Sequence, residues 1–288
     1  MKITNILLVY KKSIYEIYFN DQRQKFKKQN FKEEDIAHFK ESGRIHKKAL
    51  ETVCQTLKSH KIRFHKIYRA NKIDPEKFDL VISVGGDGTF LEAARYISDQ
   101  PIIGINSDPT RSAGYFCSCT ADNFDTFLSA ILNDRAIYKS LNRMKISINE
   151  EEKPISVIND LLISHQCPGA MSRYSLKLGS FEESHRGSGM WLSTAAGSTG
   201  AINSAGGKKM PLGSMRLQYL IREPYVMNKP YTLSKGMIKQ GETVEIRSEM
   251  REGMIYVDGS HMRYEFPFGA KLTVSNASCP LKLITGKA

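Results

Sequence analysis

The 288 residues are 41% hydrophobic and 25% charged, the balance of a globular protein long enough for two modest cores or one large one. No apolar run approaches the ~20 residues of a membrane span, and the start lacks the features of a signal peptide, so no membrane partner and a cytoplasmic location are expected. A net charge of +12 favours polyanionic ligands, while the lack of a zinc-finger or RNP motif argues against a nucleic-acid partner.

Residues 3–10 read as a first strand, followed by Lys11-Lys12 and by the cluster Arg23-Gln24-Lys25-Phe26-Lys27-Lys28, which suits a solvated helix face. Residues 33–60 read as one long helix, 62–68 alternate apolar and basic residues, and 78–84 form an apolar, β-branched run typical of a buried strand. A helix over 90–97, a strand over 101–105 ending at Asn106, and a helix over 122–132 follow. Alternating strand and helix is the signature of an α/β domain, Rossmann-like with a mostly parallel sheet. Beyond Ala136 the pattern changes to short strands: Met144–Ile148, 155–163, 174–178, 190–193, 217–221, Val244–Ser248, 254–257 and 271–274, with one short helix at 199–206. That spacing predicts an all-β, sandwich-like C-terminal domain. The expected division is 1–120 and 121–270, with 270–288 returning to the first domain. Two domains meeting at a cleft are a usual setting for a ligand. The five cysteines are scattered and the seven histidines include no H-E-x-x-H pattern, so neither a disulfide framework nor a zinc site is expected.

Gly85-Gly86-Asp87-Gly88-Thr89 joins the strand ending at Val84 to the helix beginning at Phe90. A strand, a glycine-rich turn and a helix N-terminus aim free N–H groups and a positive dipole end at one place. Thr89 and Glu92 have the spacing of a capping box. A carboxylate planted among phosphate-cradling amides suits handling of a proton or a metal ion. The same residues are also good turn chemistry, with Asp87 closing the turn, and the motif alone leaves both readings open. Neither a Walker loop nor the G-x-G-x-x-G fingerprint is present, since Gly187-Ser188-Gly189 is followed by Met190, Trp191 and Leu192. The second unusual segment, residues 193–207, is small and hydroxyl-rich. It suits either binding of ribose or phosphate, or close packing of two backbones.

Taken together, the two segments resemble the NAD kinase family, which phosphorylates the adenosine-ribose 2′-hydroxyl of NAD. The resemblance rests on five stretches in order: Gly85 to Thr89; Gly104-Ile105-Asn106 with Gly114-Tyr115-Phe116; Asn159-Asp160; Thr194, Gly197-Ser198-Thr199 and Ser204-Ala205-Gly206-Gly207; and Val257-Asp258-Gly259. It implies that Asp87 is the catalytic proton acceptor, with Gly85, Gly86, Gly88 and Thr89 against the phosphates of ATP or polyphosphate and Mg²⁺ offsetting the charge; the metal ligands are not assigned. NAD, as substrate, would be held by Asn159 and Asp160 at its adenosine. Tyr115 and Phe116 would stack on adenine or pack in the core. Asn106, Thr194, Gly197, Ser198, Thr199, Ser204 and Asp258 complete the implied site. Arg186 would pair with a pyrophosphate oxygen or lie solvated, and Lys11 and Lys12 would meet the donor. A homodimer or homotetramer is implied as well.

The departures are specific. Ala201 stands where the family has a tyrosine, Ser188 replaces a carboxylate at the nicotinamide end, Ser260 replaces a glutamine, and residues 107–113 lengthen the loop after Asn106. They resemble a divergent branch, similar to the animal mitochondrial type. Two other readings stay open: a dinucleotide-binding protein without activity, and a kinase with a lipid or nucleoside acceptor.

Overall fold

A computed structural model describes residues 3–20, 31–226 and 230–287. The basic cluster at 23–28 lies outside the described residues. The chain divides into two compact units, Met1–Lys139 with Lys282–Ala288, and Ser140–Leu281.

The first unit runs β1 (Asn5–Tyr10), α1 (Glu33–Ser59), β2 (Arg63–Tyr68), β3 (Leu80–Gly85), α2 (Asp87–Ala94), β4 (Ile102–Asn106), β5 (Cys117–Thr120), α3 (Phe124–Leu132) and β6 (Ala136–Leu141). The second holds β7 (Met144–Ile148), β8 (Glu151–Glu152), β9 (Asp160–His165), β10 (Ser172–Leu178), β11 (Phe181–Gly187), β12 (Gly189–Ser193), the short helix α4 (Ala201–Ser204), and then β13 (Leu217–Arg222), β14 (Lys235–Ile238), β15 (Val244–Ser248), β16 (Gly253–Val257), β17 (Met262–Glu265) and β18 (Lys271–Asn276). The last strand, β19 (Leu281–Lys287), returns to the first sheet, where Leu283 pairs with Ile102.

The first sheet is ordered β2-β1-β3-β4-β19-β6, with β5 also on β4, and β1 to β5 pair in parallel. Every residue of β3 is buried, as expected of a strand covered on both faces. The stripe His46, Ala49, Val53 and Leu57 turns one face of α1 inward, and the last three join the core around Ile6, Leu80, Ile82 and Ile105. The second unit has two antiparallel sheets, β11-β10-β15-β18-β7-β8 and β14-β13-β12-β9-β16-β17. The Tyr174 hydroxyl of the first donates to the Gly189 carbonyl of the second at 3.1 Å.

Three local expectations are corrected. The helix expected from Phe90 begins at Asp87, and Gly86 caps it without a side chain. Thr89 therefore lies inside the helix rather than capping it, and Glu92 pairs instead with buried Arg95 at 3.0 Å. The strand expected over 155–163 is regular only from Asp160, because the preceding N–H groups bond to a carboxylate described below. The division expected near residue 120 falls after Lys139, since Phe124, Phe127, Leu128 and Ile131 of α3 bury into the first core. Among the described residues, no helix is long and apolar enough to cross a membrane.

Candidate active site

β3 ends at Gly85 and α2 starts two residues later, so the glycine turn sits at the C-terminal edge of a parallel sheet, where open α/β sheets bind ligands. The first amides to bond back are those of Thr89 and Phe90, both to Gly86 O at 2.9 and 3.2 Å. The helix entrance thus presents its earlier N–H groups outward. Asp87 is half-buried, and its Oδ1 accepts the Phe116 N–H at 2.9 Å. Its Oδ2 has no hydrogen-bond partner among the described residues. The Thr89 hydroxyl, in a residue 1% exposed, also has none, and it lies so close to Gly85 that any Cβ there would overlap it.

Three further residues brace this edge. The buried His46 ring bridges β1 and the loop after β4: Nε2–H donates to Lys11 O, and Nδ1 accepts from the Ser107 hydroxyl, both at 2.8 Å. Burial keeps His46 below its ordinary pKa, so the neutral ring suits both bonds. The Ser107 N–H in turn donates to Gly85 O at 2.9 Å. Asn106 is taken up by its own loop, with Nδ2 donating to Ser112 O and Oδ1 accepting the Asp108 N–H. Of the two expected stacking rings, Phe116 is 4% exposed and lies parallel to Phe90 at 5.0 Å, whereas Tyr115 is 48% exposed. Tyr115 is therefore the ring available to a ligand, and Phe116 belongs to the core.

In the second unit, Asn159 and Asp160 open β9. The Asp258 carboxylate accepts the N–H groups of Ile158, Asn159 and Asp160 at 3.2, 2.7 and 3.2 Å. Asp258 thus braces the start of β9. Thr194 and Ser198 are likewise buried and internally bonded, Thr194 to Ile158 O and Ser198 to Ala195 O. Gly197 packs so tightly on Asn159 O that no side chain fits there, which accounts for a small residue at that point. Thr194, Gly197 and Ser198 of the 193–207 segment thus pack against the backbone around Asn159 and within the segment itself. Its exposed hydroxyls are those of Thr199 and Ser204, one in the 3₁₀ turn Gly197–Thr199 and one in the four-residue helix Ala201–Ser204.

Two cavities adjoin these residues. One of about 300 Å³ is lined by Asp160, Leu162, Trp191, Tyr256, Gly259 and Ser260. A second, about 220 Å³, includes Leu162, His165, Ser188, Arg222, Glu223 and Tyr256. Leu162 and Tyr256 line both, so the cavities form a strip along β9 with Asp160 at one end and Ser188 at the other. Arg186 is exposed, and its N–H donates to the Tyr231 hydroxyl at 3.2 Å. Trp191, Tyr256 and Arg222 were not among the expected site residues. The strand alternation offered a signal for Trp191, which stands between buried Met190 and Leu192 and so faces the other side of the sheet.

Asp160 is 5% exposed, and burial followed by the Asp258 charge raises its pKa from 3.8 to about 7. The folded state therefore holds this proton more tightly than the unfolded chain. The stabilisation is complete below pH 4 and is lost as the pH rises through 7. Asp160→Asn should consequently raise stability at pH 8 by about 4 kcal/mol while changing little at pH 3.5. Urea unfolding at the two values checks this, and an offset that does not depend on pH would contradict it.

Among the described residues, no cluster of three or more His, Cys, Asp or Glu could by itself hold a metal. Residues 2–136 match the family model of the ATP-NAD kinase N-terminal domain. The chain is 37% identical over 267 residues to a probable NADH kinase of Oryza sativa subsp. japonica, covering 84% of this chain and 82% of that protein. Its fold is similar to that of an NAD kinase from Archaeoglobus fulgidus crystallised with ATP, with a TM-score of 0.70, 19% identity, and 98% of this chain and 93% of that one covered. It is also similar to yeast NADH kinase complexed with NADH, with a TM-score of 0.74, 12% identity and coverage of 100% and 84%.

Proposed function

The chain belongs to the NAD kinase family of phosphotransferases, and we propose that it transfers the γ-phosphoryl group of ATP to the 2′-hydroxyl of the adenosine ribose of a nicotinamide dinucleotide. The observation that carries this reading is Asp87: one carboxylate oxygen is fixed by the Phe116 N–H, and the other is open at a phosphate-binding turn. A non-catalytic dinucleotide binder has no use for a carboxylate beside phosphates that repel it.

In the proposed reaction the 2′-oxygen bonds to the γ-phosphorus, the bond from that phosphorus to the β,γ-bridging oxygen breaks, and ADP leaves. Asp87 Oδ2 takes the hydroxyl proton. Gly85, Gly86, Gly88 and Thr89 let the phosphates lie against the entrance of α2, whose dipole favours their charge. Asn159 and Asp160 hold the adenosine ribose, and Tyr115 offers a face to a base. Both oxygens of Asp87 have other roles, so Mg²⁺, which usually keeps several waters and binds substrate phosphates, would be held chiefly by the phosphates of the donor. Bound there, the ion would offset the charge of the phosphates. The same proposal includes a cytoplasmic homo-oligomer, on family resemblance.

For the acceptor, the strip along β9 favours NADH. Ser188 replaces the carboxylate that the family has at this end, and the lining carries one cation, Arg222, for one anion, Glu223, so it offers no net attraction to a cationic nicotinamide. The Oryza sativa relative, named a probable NADH kinase, supports this reading. Ser188→Asp should then raise the kcat/KM ratio of NAD to NADH about tenfold. An unchanged ratio would remove Ser188 from the nicotinamide end. The activity itself is tested by incubating the protein with Mg²⁺-ATP and NAD or NADH and assaying NADP(H) with a specific dehydrogenase. Dinucleotide binding without product would return the non-catalytic reading.

A further inference from the structure

Arg69 follows the last residue of β2, and its N–H donates to Tyr10 O at 2.9 Å. That bond continues the β1–β2 pairing past Tyr10 and Tyr68 and fixes Arg69 on the sheet edge where β3 ends and α2 begins. Its side chain reaches α2. A Cβ built on Gly88 would lie 3.3 Å from one of its terminal guanidinium nitrogens. Lys11 stands nearby at the end of β1, and burial and then the Arg69 charge lower its pKa.

Such a grouping is unfavourable on its own. Helix N-termini favour anions, and here two cations meet a positive dipole end. Neither Arg69 nor Lys11 forms an ion pair within 4.0 Å among the described residues. The first-turn carboxylate, Asp87, already accepts the Phe116 N–H. At the same turn, the Thr89 hydroxyl is buried without a partner. A polyphosphate chain supplies more negative charge than Asp87 and Asp108 give these cations, and acceptor oxygens for the guanidinium and the open amides.

We infer that Arg69 binds the terminal phosphates of the donor, its planar guanidinium lying over Gly88 against the phosphoryl group in transfer. This deepens the proposed kinase reading and rests on it. An arginine so placed binds charge that spreads over the phosphoryl oxygens in the transition state, so its loss affects turnover as well as donor binding.

The test compares wild type with Arg69→Gln and Arg69→Lys, after melting curves have shown that the variants fold. Arg69→Gln should lower kcat/KM for ATP about 100-fold and leave the KM of the dinucleotide within about threefold. Arg69→Lys should recover part of the loss, and guanidinium ion added to Arg69→Gln should recover more. A merely structural role would shift both substrates together and would not respond to guanidinium. Calorimetry with inorganic tripolyphosphate separates this inference from the reading it rests on. Wild type should bind tripolyphosphate, and Arg69→Gln at least tenfold more weakly, whether or not NADP(H) is formed. Equal affinity, or no binding by wild type, would overturn the inference even if the kinase activity is present. Should Arg69→Gln fail to fold, Arg69→Lys carries the same titration, with an expected loss of about threefold.

Discussion

Asp87→Asn should lower kcat by about 10²–10⁴-fold, the range expected for loss of a positioned general base. The change is nearly isosteric. The amide oxygen of asparagine can still accept the Phe116 N–H, so the turn and the start of α2 should keep their shape. What disappears is an oxygen able to take the 2′-hydroxyl proton. Melting temperature should stay within a few degrees, and dinucleotide affinity by calorimetry should be retained. The neighbouring Cys117 thiol offers an internal check, since burial and then the Asp87 charge push its pKa up to about 12. The substitution should lower that value, because one of the two influences that raise it is gone while Lys11 still lowers it. Near-normal turnover in a variant whose Cys117 has shifted would show that Asp87 was replaced without cost to the chemistry.

Asp258→Ala should be the most destabilising change near the second constellation, costing about 3 kcal/mol. Three consecutive backbone N–H groups, of Ile158, Asn159 and Asp160, would lose the carboxylate they share. Asp258 also adopts φ +48°, which aspartate tolerates better than alanine. Relief of the charge facing Asp160 would offset part of this loss. Asp258→Asn, which retains an acceptor oxygen, should lose less. Urea unfolding measures both, and Asp258→Ala should also raise the dinucleotide KM because Asn159 and Asp160 lose their support. Stability within about 0.5 kcal/mol of wild type would contradict this account.

The sequence was most legible where one physical signal dominated. The β-branched run before Gly85 and the apolar stripe of α1 predicted buried elements, and the change from alternating strand and helix to short strands predicted two kinds of domain. Edge strands were missed because their residues carry no apolar signature: β11 reads Phe-Glu-Glu-Ser-His-Arg-Gly and is mostly exposed. The glycine turn was legible as a junction between a buried strand and a helix. Its capping was not, because Gly86 can cap with its carbonyl alone, which leaves no side-chain signal. Residue identity also could not separate ligand contacts from braces. Thr194, Ser198, Asn106 and Asp258 carry polar groups suited to a ligand, yet each is spent on nearby backbone. Arg69 had no motif to mark it, since its place beside Gly88 depends on parallel pairing of strands that are distant in sequence.

The central claim is tested most directly by ³¹P NMR of the reaction with Mg²⁺-ATP and NADH, repeated with NAD. The account predicts a 2′-phosphomonoester resonance on the dinucleotide, rising in step with ADP and absent with Asp87→Asn. ADP formed without that resonance, or a phosphate on any other hydroxyl, would contradict it.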